Sequence, residues 1–565
     1  MYLKDKYKII FLLILISAAL LRVLWLNKYP PALSWDEISH GYTAYSILKT
    51  GHDEWGQLLP LSNFKAYGDY PLVANMYFMI PTIALMGLNE VSVRLPGAIF
   101  GILTVIASYY LAYGVTKSKK ISLLTAFLTA FEPWNWFLNR FAAQSNLSVF
   151  FLTASAAAFF NREKSKYLTP LSILFLGLTL YSYHTTRIVS PLILLACIFV
   201  CRGKIWDVLG HDLRIKILSI FILLFFFVPL PFILANPASR ARSNEVFLLN
   251  EGAINRIIEK RLSSSYSPLV SRLLYNRPLF FITEAIKNHI EYYTPRFLFF
   301  AGGTHYQFSL PGYGLLFPVN LPFFYLGIYL VLKKAISKNK EYQFILLWFL
   351  LAPLSGSITK EHYAVMRATP MIPLVQLFSA IGVIWVLDKI KKIKRSNLPY
   401  LFIGVYLLVA FINFFVYSKE YFGNYTLNYS QDRQYGYKEA LKYAKANYNN
   451  YDRIIITKKY GEPHEFVLFY WPWDPATYRN DPSLVRFHQS NWYWVDRFDK
   501  FYFVNDWQIP KEKAENWKLE IGTEFECFTS RCLLITGPDN YPRGWNKLQT
   551  INFLNGLPAF DIYEN

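Results

Sequence analysis

The chain has 565 residues, of which 53% are hydrophobic and 18% aromatic, and its formal net charge is +20. A soluble core does not need that much apolar surface, whereas a polytopic membrane protein does. The positive charge sits in short clusters between apolar runs of roughly bilayer-spanning length, and that distribution argues against a nucleic-acid partner.

Taken in chain order, the first apolar run covers residues 9–26 and follows Lys4, Lys6 and Lys8, which place the N-terminus in the cytoplasm. No small-residue cleavage site follows it, so it reads as a retained helix. Trp35, Asp36 and Glu37 come next, at the outer lip of the bilayer. An apolar stretch at 72–88 reads as a juxtamembrane or re-entrant element at the outer interface. Ten further runs, at 95–115, 121–131, 147–160, 168–181, 188–201, 215–234, 314–332, 342–357, 369–387 and 398–416, bring the expected total to about eleven transmembrane helices. Several fall short of the roughly 20 residues of a span, so they need flanking residues or a locally thinned bilayer.

The orientation rests on parity. If 72–88 does not cross, the clusters around Lys117–Lys120, Arg162–Lys166, Arg202–Lys216, Lys333–Lys340 and Lys389–Arg395, including Lys394, all face the cytoplasm with the N-terminus. If it crossed, nearly all would face outward, against the positive-inside rule. Three segments then face outward together: 30–94, 235–313 and everything after Tyr417.

After Tyr417 the composition becomes polar, which divides the chain into a transmembrane domain (1–416) and an extracytoplasmic domain (417–565). A helical pattern at 437–446 is followed by β-rich runs at 453–457, 466–470, 500–504 and 532–536, so this domain reads as a small α/β fold beside an all-α polytopic membrane bundle. The spacing of Cys527 and Cys532 is compatible with a disulfide across a hairpin, and Cys197 and Cys201 read as packing residues in a span. No nucleotide fingerprint, P-loop or paired zinc pattern is present.

Asp36 admits two readings. It can act as a general base on an acceptor hydroxyl with Glu37 tuning it, or it can cap a helix starting at Ile38, at about 1 kcal/mol. Asp69, before Tyr70 and Pro71, reads by itself as a turn residue. Arg140, the trio Tyr183, His184 and Arg187, then Arg296, and His362, Tyr363 and Arg367 stand at outward ends of runs. One arginine at such depth commonly only snorkels, but several on one face make a lipid-phosphate clamp. The runs carry almost no ionisable residue near their middles, which counts against an ion-coupled transporter.

The order Trp35-Asp36-Glu37, Asp69-Tyr70-Pro71-Leu72 and Val93-Arg94-Leu95-Pro96, then Asn139-Arg140-Phe141-Ala142, residues 181–187, Pro311-Gly312-Tyr313-Gly314 and 362–370, resembles the protein O-mannosyltransferase family and its bacterial relative, the aminoarabinose lipid A transferase. The resemblance covers roughly residues 1–416. It implies a C-type inverting glycosyltransferase, multi-pass in the plasma membrane, that takes a sugar from a polyprenyl-phosphate donor to a lipid, glycan or protein acceptor at the outer face. It implies Asp36 as base, Glu37 in support and Asp69 as second acid. Many bacterial relatives carry Lys where this chain has Tyr70. That departure moves the donor phosphate to Arg140, Arg187 and Arg367, with His184 beside them and Tyr70, Arg296 and His362 as further candidates. His305, alone in its loop, reads as solvated. No cofactor is required by this chemistry, although a divalent cation shared by Asp36 and Asp69 is compatible with it. The competing readings are a transporter or flippase of lipid-linked glycans, and a membrane-anchored glycan binder using Trp471, Trp473, Trp492 and Trp494.

Overall fold

The computed structural model describes residues 2–209, 212–237, 245–393, 397–489 and 492–565, so Lys394 and Arg395 of the last basic cluster lie outside the described residues. The helices run α1 (Tyr2–Val23), α2 (Trp35–Thr50), α3 (Val73–Met86), α4 (Glu90–Thr116), α5 (Lys119–Phe131), α6 (Pro133–Asn139), α7 (Ser145–Phe160), α8 (Leu168–Thr179), α9 (His184–Leu209), α10 (Leu213–Phe227) and α11 (Leu230–Ala235). They continue with α12 (Glu251–Leu262), α13 (Pro268–Leu274), α14 (Arg277–Glu291), α15 (Leu321–Ile336), α16 (Lys340–Leu351), α17 (Leu354–Ser357), α18 (Val365–Ala368), α19 (Leu374–Ile390), α20 (Leu398–Glu420), α21 (Tyr437–Ala446), α22 (Pro463–Tyr470) and α23 (Pro475–Arg479). The chain forms two compact units. One holds Met1–Leu24, Gly97–Asn139 and Ala143–Lys419; the other holds Trp25–Pro96, Arg140–Ala142 and Glu420–Asn565.

The first unit is helical. Among the described residues five helices are long and apolar enough to cross a membrane, Glu90–Thr116, His184–Gly203, Leu213–Ala235, Pro318–Ile336 and Leu398–Asn428, and the pair Val365–Met371 with Leu374–Ile390, bent by 52°, makes a sixth if it is one span. Each of the eleven predicted runs falls on a helix or a helix pair. Length and composition do not reproduce a total of eleven spans, because α5, α7, α8 and α16 have only 13, 16, 12 and 12 residues.

Small residues let these helices approach. A Cβ on Gly327 of α15 would lie 1.9 Å from the Phe378 carbonyl oxygen of α19, and one on Gly382 would lie 2.0 Å from that of Phe323, so the two backbones touch. Between α7 and α8, the Ser155 and Ser172 hydroxyls each donate to the other's carbonyl at 2.8 Å. Fully buried Arg22 ends α1 with its Nε donating to Asn139 Oδ1 at 2.9 Å and one Nη to the Ala130 carbonyl at 3.0 Å.

The second unit joins α2 and α3 to an α/β fold. Strands β1 (Arg453–Thr457), β2 (Val485–Gln489), β3 (Trp492–Phe498), β4 (Phe501–Val504), β5 (Trp517–Lys518), β6 (Glu524–Phe525), β7 (Cys532–Thr536), β8 (Asn546–Asn552) and β9 (Pro558–Glu564) form one seven-stranded sheet, ordered β2-β3-β4-β1-β7-β9-β8, and a two-stranded ladder of β5 and β6. The central β1 is parallel to both β4 and β7, with Ile454 opposite Phe501 and Leu533, and these three strands are buried at every position but Arg453 because both faces of the sheet are covered. One cover packs Trp517, Phe525 and Trp545 with a disulfide joining Cys527 and Cys532, whose Cα atoms are 5.9 Å apart.

The predicted strand at 466–470 is instead the end of helix α22. Pro463 at its first position presets the helical φ, and Phe466, Val467, Leu468 and Phe469 are all buried, so no periodicity separates helix from strand. Strands β2, β3, β5, β6, β8 and β9 had no expectation; β8 is an edge strand exposed at all but one position, so it carries no apolar alternation to read.

Candidate functional site

The loop after α1 ends in an N-cap. Ser34 accepts the Glu37 amide at 3.5 Å and donates its own amide to Glu37 Oε2 at 3.1 Å, a reciprocal capping box that starts α2 at Trp35. The reading of Asp36 as cap of a helix beginning at Ile38 is therefore corrected. Ser34 does that work, and Asp36 stands in the first turn with its side chain exposed.

Glu37 points inward. Arg94, in the first turns of α4 and fully buried, donates from Nε to Glu37 Oε1 at 2.8 Å and from Nη2 to Oε2 at 3.1 Å, and the Ala142 amide adds 3.1 Å to Oε1. The same guanidinium spans the Leu26 and Pro30 carbonyls at 2.8 Å each, tying the chain before α2 to it. Burial pushes the Glu37 carboxyl up, but Arg94, with Arg433 behind it, outweighs that and holds the carboxyl below its ordinary value. A buried charge pair of this kind is stable only when every lone pair is used, as here.

Asp36 is held from a neighbouring turn. The Phe64 amide bonds the Pro71 carbonyl at 3.1 Å and the Ala66 amide bonds the Asp69 carbonyl at 3.0 Å, which closes a hairpin-like loop with Tyr67 and Asp69 near its tip. The Tyr67 hydroxyl donates to Asp36 Oδ1. Tyr67 is buried and stacks on Trp492 with ring centroids 5.4 Å apart and planes 4° apart, and Trp35 leans on both rings at 5.8 and 6.0 Å. Burial first, then the Asp36 charge, drives the Tyr67 phenol well above its ordinary pKa, so it stays a donor. Gly461, at φ +117°, sits against this wall: a Cβ there would lie 2.4 Å from the Trp35 ring.

Asp69 accepts the Tyr70 amide at 2.7 Å, and the Tyr70 hydroxyl lies 3.5 Å from that of Tyr493, where burial and that neighbour push it up to about 12. His40, one helical turn after Asp36, feels both Asp36 and Asp69. Burial outweighs their attraction and holds it below its ordinary pKa. Asn75 lies 3.4 Å from His40 Nδ1 and donates to the Ala142 carbonyl at 3.0 Å.

Arg140 is fully buried in the same unit. It donates to the Tyr29 carbonyl at 3.1 Å and lies over the rings of Tyr421 and Phe422 at 5.9 and 5.5 Å. Asp36, Glu37, Asp69, Tyr70 and Arg140 thus share one unit, and His184, Arg187, Arg296, His362 and Arg367 share the other. In that other unit Arg187 donates Nε to the Leu180 carbonyl at 3.0 Å, Arg367 pairs with Glu361 at 2.8 Å and bonds Thr359 at 2.9 Å, exposed His362 pairs with Glu291 at 3.3 Å, and Arg296 lies 5.8 Å from the Tyr363 ring. His184 is half-buried at the first position of α9.

The sequence did not single out Tyr67, His40 or the Arg94–Glu37 pair, and it offered Trp492 only as a glycan-stacking residue of a competing reading. Only His40 had a local signal, its four-residue spacing from Asp36; the others meet Asp36 and Glu37 through tertiary contacts.

One unit is a bundle with apolar helices of membrane-spanning length, the other carries an exposed acid at the start of α2 and a C-terminal seven-stranded sheet, and this fold is similar to that of solved membrane glycosyltransferases. Residues 12–245 match the family model of dolichyl-phosphate-mannose-protein mannosyltransferase. The structure of ArnT from Cupriavidus metallidurans in the apo state matches with a TM-score of 0.51 and 10% identity over 99% of this chain and 98% of that one, and ArnT bound to undecaprenyl phosphate matches at 0.50 and 11% over the same shares. The archaeal oligosaccharyltransferase AglB from Archaeoglobus fulgidus, in complex with an inhibitory peptide and a dolichol-phosphate, matches at 0.51 and 13% over 83% of this chain, which spans 64% of its length. No curated protein matches the chain in sequence.

Proposed function

We propose that this chain is an inverting membrane glycosyltransferase that moves a sugar from a polyprenyl-phosphate donor to a lipid, glycan or protein acceptor at the outer face of the plasma membrane. The observation that carries the reading is Asp36: an exposed carboxylate on a helix start fixed by the buried Glu37–Arg94 pair, oriented by Tyr67 and walled by Trp35 and Trp492. The match of residues 12–245 to the mannosyltransferase family supports it.

In this mechanism the acceptor oxygen attacks the anomeric carbon from the face opposite the lipid phosphate. Asp36 takes the acceptor proton as the new carbon–oxygen bond forms, and the phosphate leaves with the electron pair of the bond that breaks. A phosphate leaving group needs charge stabilisation more than protonation, and the residues assigned to it in this reading are Arg187, Arg367 and His184, with Arg296 and His362 as further candidates. Arg140, turned onto carbonyls and rings, acts by holding the first loop. Glu37 acts as a positioning residue, Asp69 keeps the site acidic, and Trp35, Tyr67 and Trp492 offer ring faces to a sugar. The step needs no cofactor, and a divalent cation between Asp36 and Asp69 is compatible with it.

The reading carries a topology: eleven spans over residues 1–416, N-terminus cytoplasmic, and residues 417–565 extracytoplasmic. The Cys527–Cys532 disulfide supports an oxidising compartment for the latter. The test is transfer of radiolabelled sugar from a panel of polyprenyl-phosphate monosaccharides in membranes carrying the parent or Asp36→Asn. Transfer by the parent alone, with both inserted equally, supports the reading; equal transfer removes Asp36 from the mechanism.

A further inference from the structure

Away from the Asp36 wall, a second group of ionisable side chains is buried with several of its polar atoms short of hydrogen-bond partners. Glu54 lies just past α2, and His464 and Glu465 open α22; exposures are 1%, 2% and 1%. Their ligand-type atoms lie within 4.8 Å of one another. Neither carboxylate oxygen of Glu54 nor Oε2 of Glu465 receives a hydrogen bond within ordinary geometry, and the Arg486 guanidinium stands 3.7 Å from Glu54 Oε1. His464 turns Nε2 toward Glu465 Oε1 at 4.0 Å and Nδ1 toward Glu462 Oε2 at 3.4 Å. A histidine bracketed this way, one nitrogen facing a cluster of oxygens and the other backed by a carboxylate, has the arrangement of a metal ligand with its orienting partner.

We propose that Glu54, His464 and Glu465 bind one divalent transition-metal ion, zinc or manganese, with Glu462 orienting the imidazole and water completing the coordination. Two carboxylates and one imidazole are ligands that suit these ions. Ligand atoms about 2.0–2.2 Å from a common centre are at most about 4.4 Å apart, close to the 4.8 Å within which these three lie. The nearby Lys458 is already engaged with Asp496 at 2.6 Å and does not neutralise them. Such an ion ties the chain following the Asp36 helix to α22, so it is a positioning element of the unit and not a participant in sugar transfer.

The experiment uses the full chain purified in detergent, stripped with chelator and dialysed against zinc chloride or manganese chloride. Metal is counted per chain and Tm recorded with and without each salt. We expect one retained ion per chain and a Tm higher by about 4 °C or more with metal, both lost in Glu465→Gln and in His464→Asn. No retained metal and no Tm response in the parent overturns the site, as does full retention in both variants. If the variants do not fold, the parent titration alone decides. Neither readout depends on sugar transfer, so failure here is distinct from failure of the proposed activity.

Discussion

At the scale of single residues, Asp36 and Glu37 are adjacent in sequence and opposite in role. Asp36 is exposed, so Asp36→Asn is expected to lower transfer by about 10²–10⁴-fold with an unchanged Tm, checked by turnover and thermal melting side by side. Glu37 is buried against Arg94, so Arg94→Ala, which strands the carboxylate, is expected to cost about 3–5 kcal/mol of stability, read as loss of monodisperse protein in detergent. The pH dependence follows from the same groups. The Glu37 carboxyl is held below its usual 4.5, so its contribution is present above that value and is lost as pH falls through the lower folded value. His40 is held below its usual 6.5, so the unfolded chain takes up a proton that the native one refuses, and stability falls as pH drops under 6.5. Both act in one direction: Tm should decline steadily on acidification from neutral pH, and His40→Asn should remove the part of the decline that begins near 6.5.

At the scale of elements, the membrane helices are joined by close backbone approach and by hydroxyl exchange, since apolar side chains gain little by meeting each other in lipid. Gly327→Leu should therefore separate α15 from α19 and yield chain that inserts but aggregates on extraction, whereas a leucine at Gly404, where a Cβ meets nothing within 4 Å, should be silent. Size-exclusion profiles of the two variants make the comparison. The elements also divide by legibility. The long runs at 95–115 and 398–416 announce α4 and α20, because twenty apolar residues have one common use. The run at 466–470 did not announce α22, because five buried apolar residues satisfy a helix or a strand equally. Strand β8 was invisible because an exposed edge leaves its residues polar.

At the scale of the whole molecule, the proposed topology is open to labelling. In a chain with Cys197 and Cys201 replaced by alanine, Leu557→Cys should react with a membrane-impermeant maleimide in intact cells, and Ser337→Cys only after permeabilisation. Labelling of Ser337→Cys from outside would reverse the orientation and place the Asp36 loop in the cytoplasm.

Hydrophobic length and charge are local, additive properties, so the sequence alone showed a membrane protein, where its apolar helices lie, and that acids collect in the loop after its first helix. It also carried the order of motifs that resembles the mannosyltransferases, since order survives when single residues drift. Only the tertiary structure decided which carboxylate of the adjacent pair is buried, that Tyr67 and Trp492 wall Asp36, and that Glu54 meets His464 and Glu465. Those facts depend on contacts between residues well separated in the chain, from Asp36 with Tyr67 to Glu54 with His464, and burial, which sets the charge state and the role of a carboxylate, is a property of the folded surroundings and not of the neighbours in the chain.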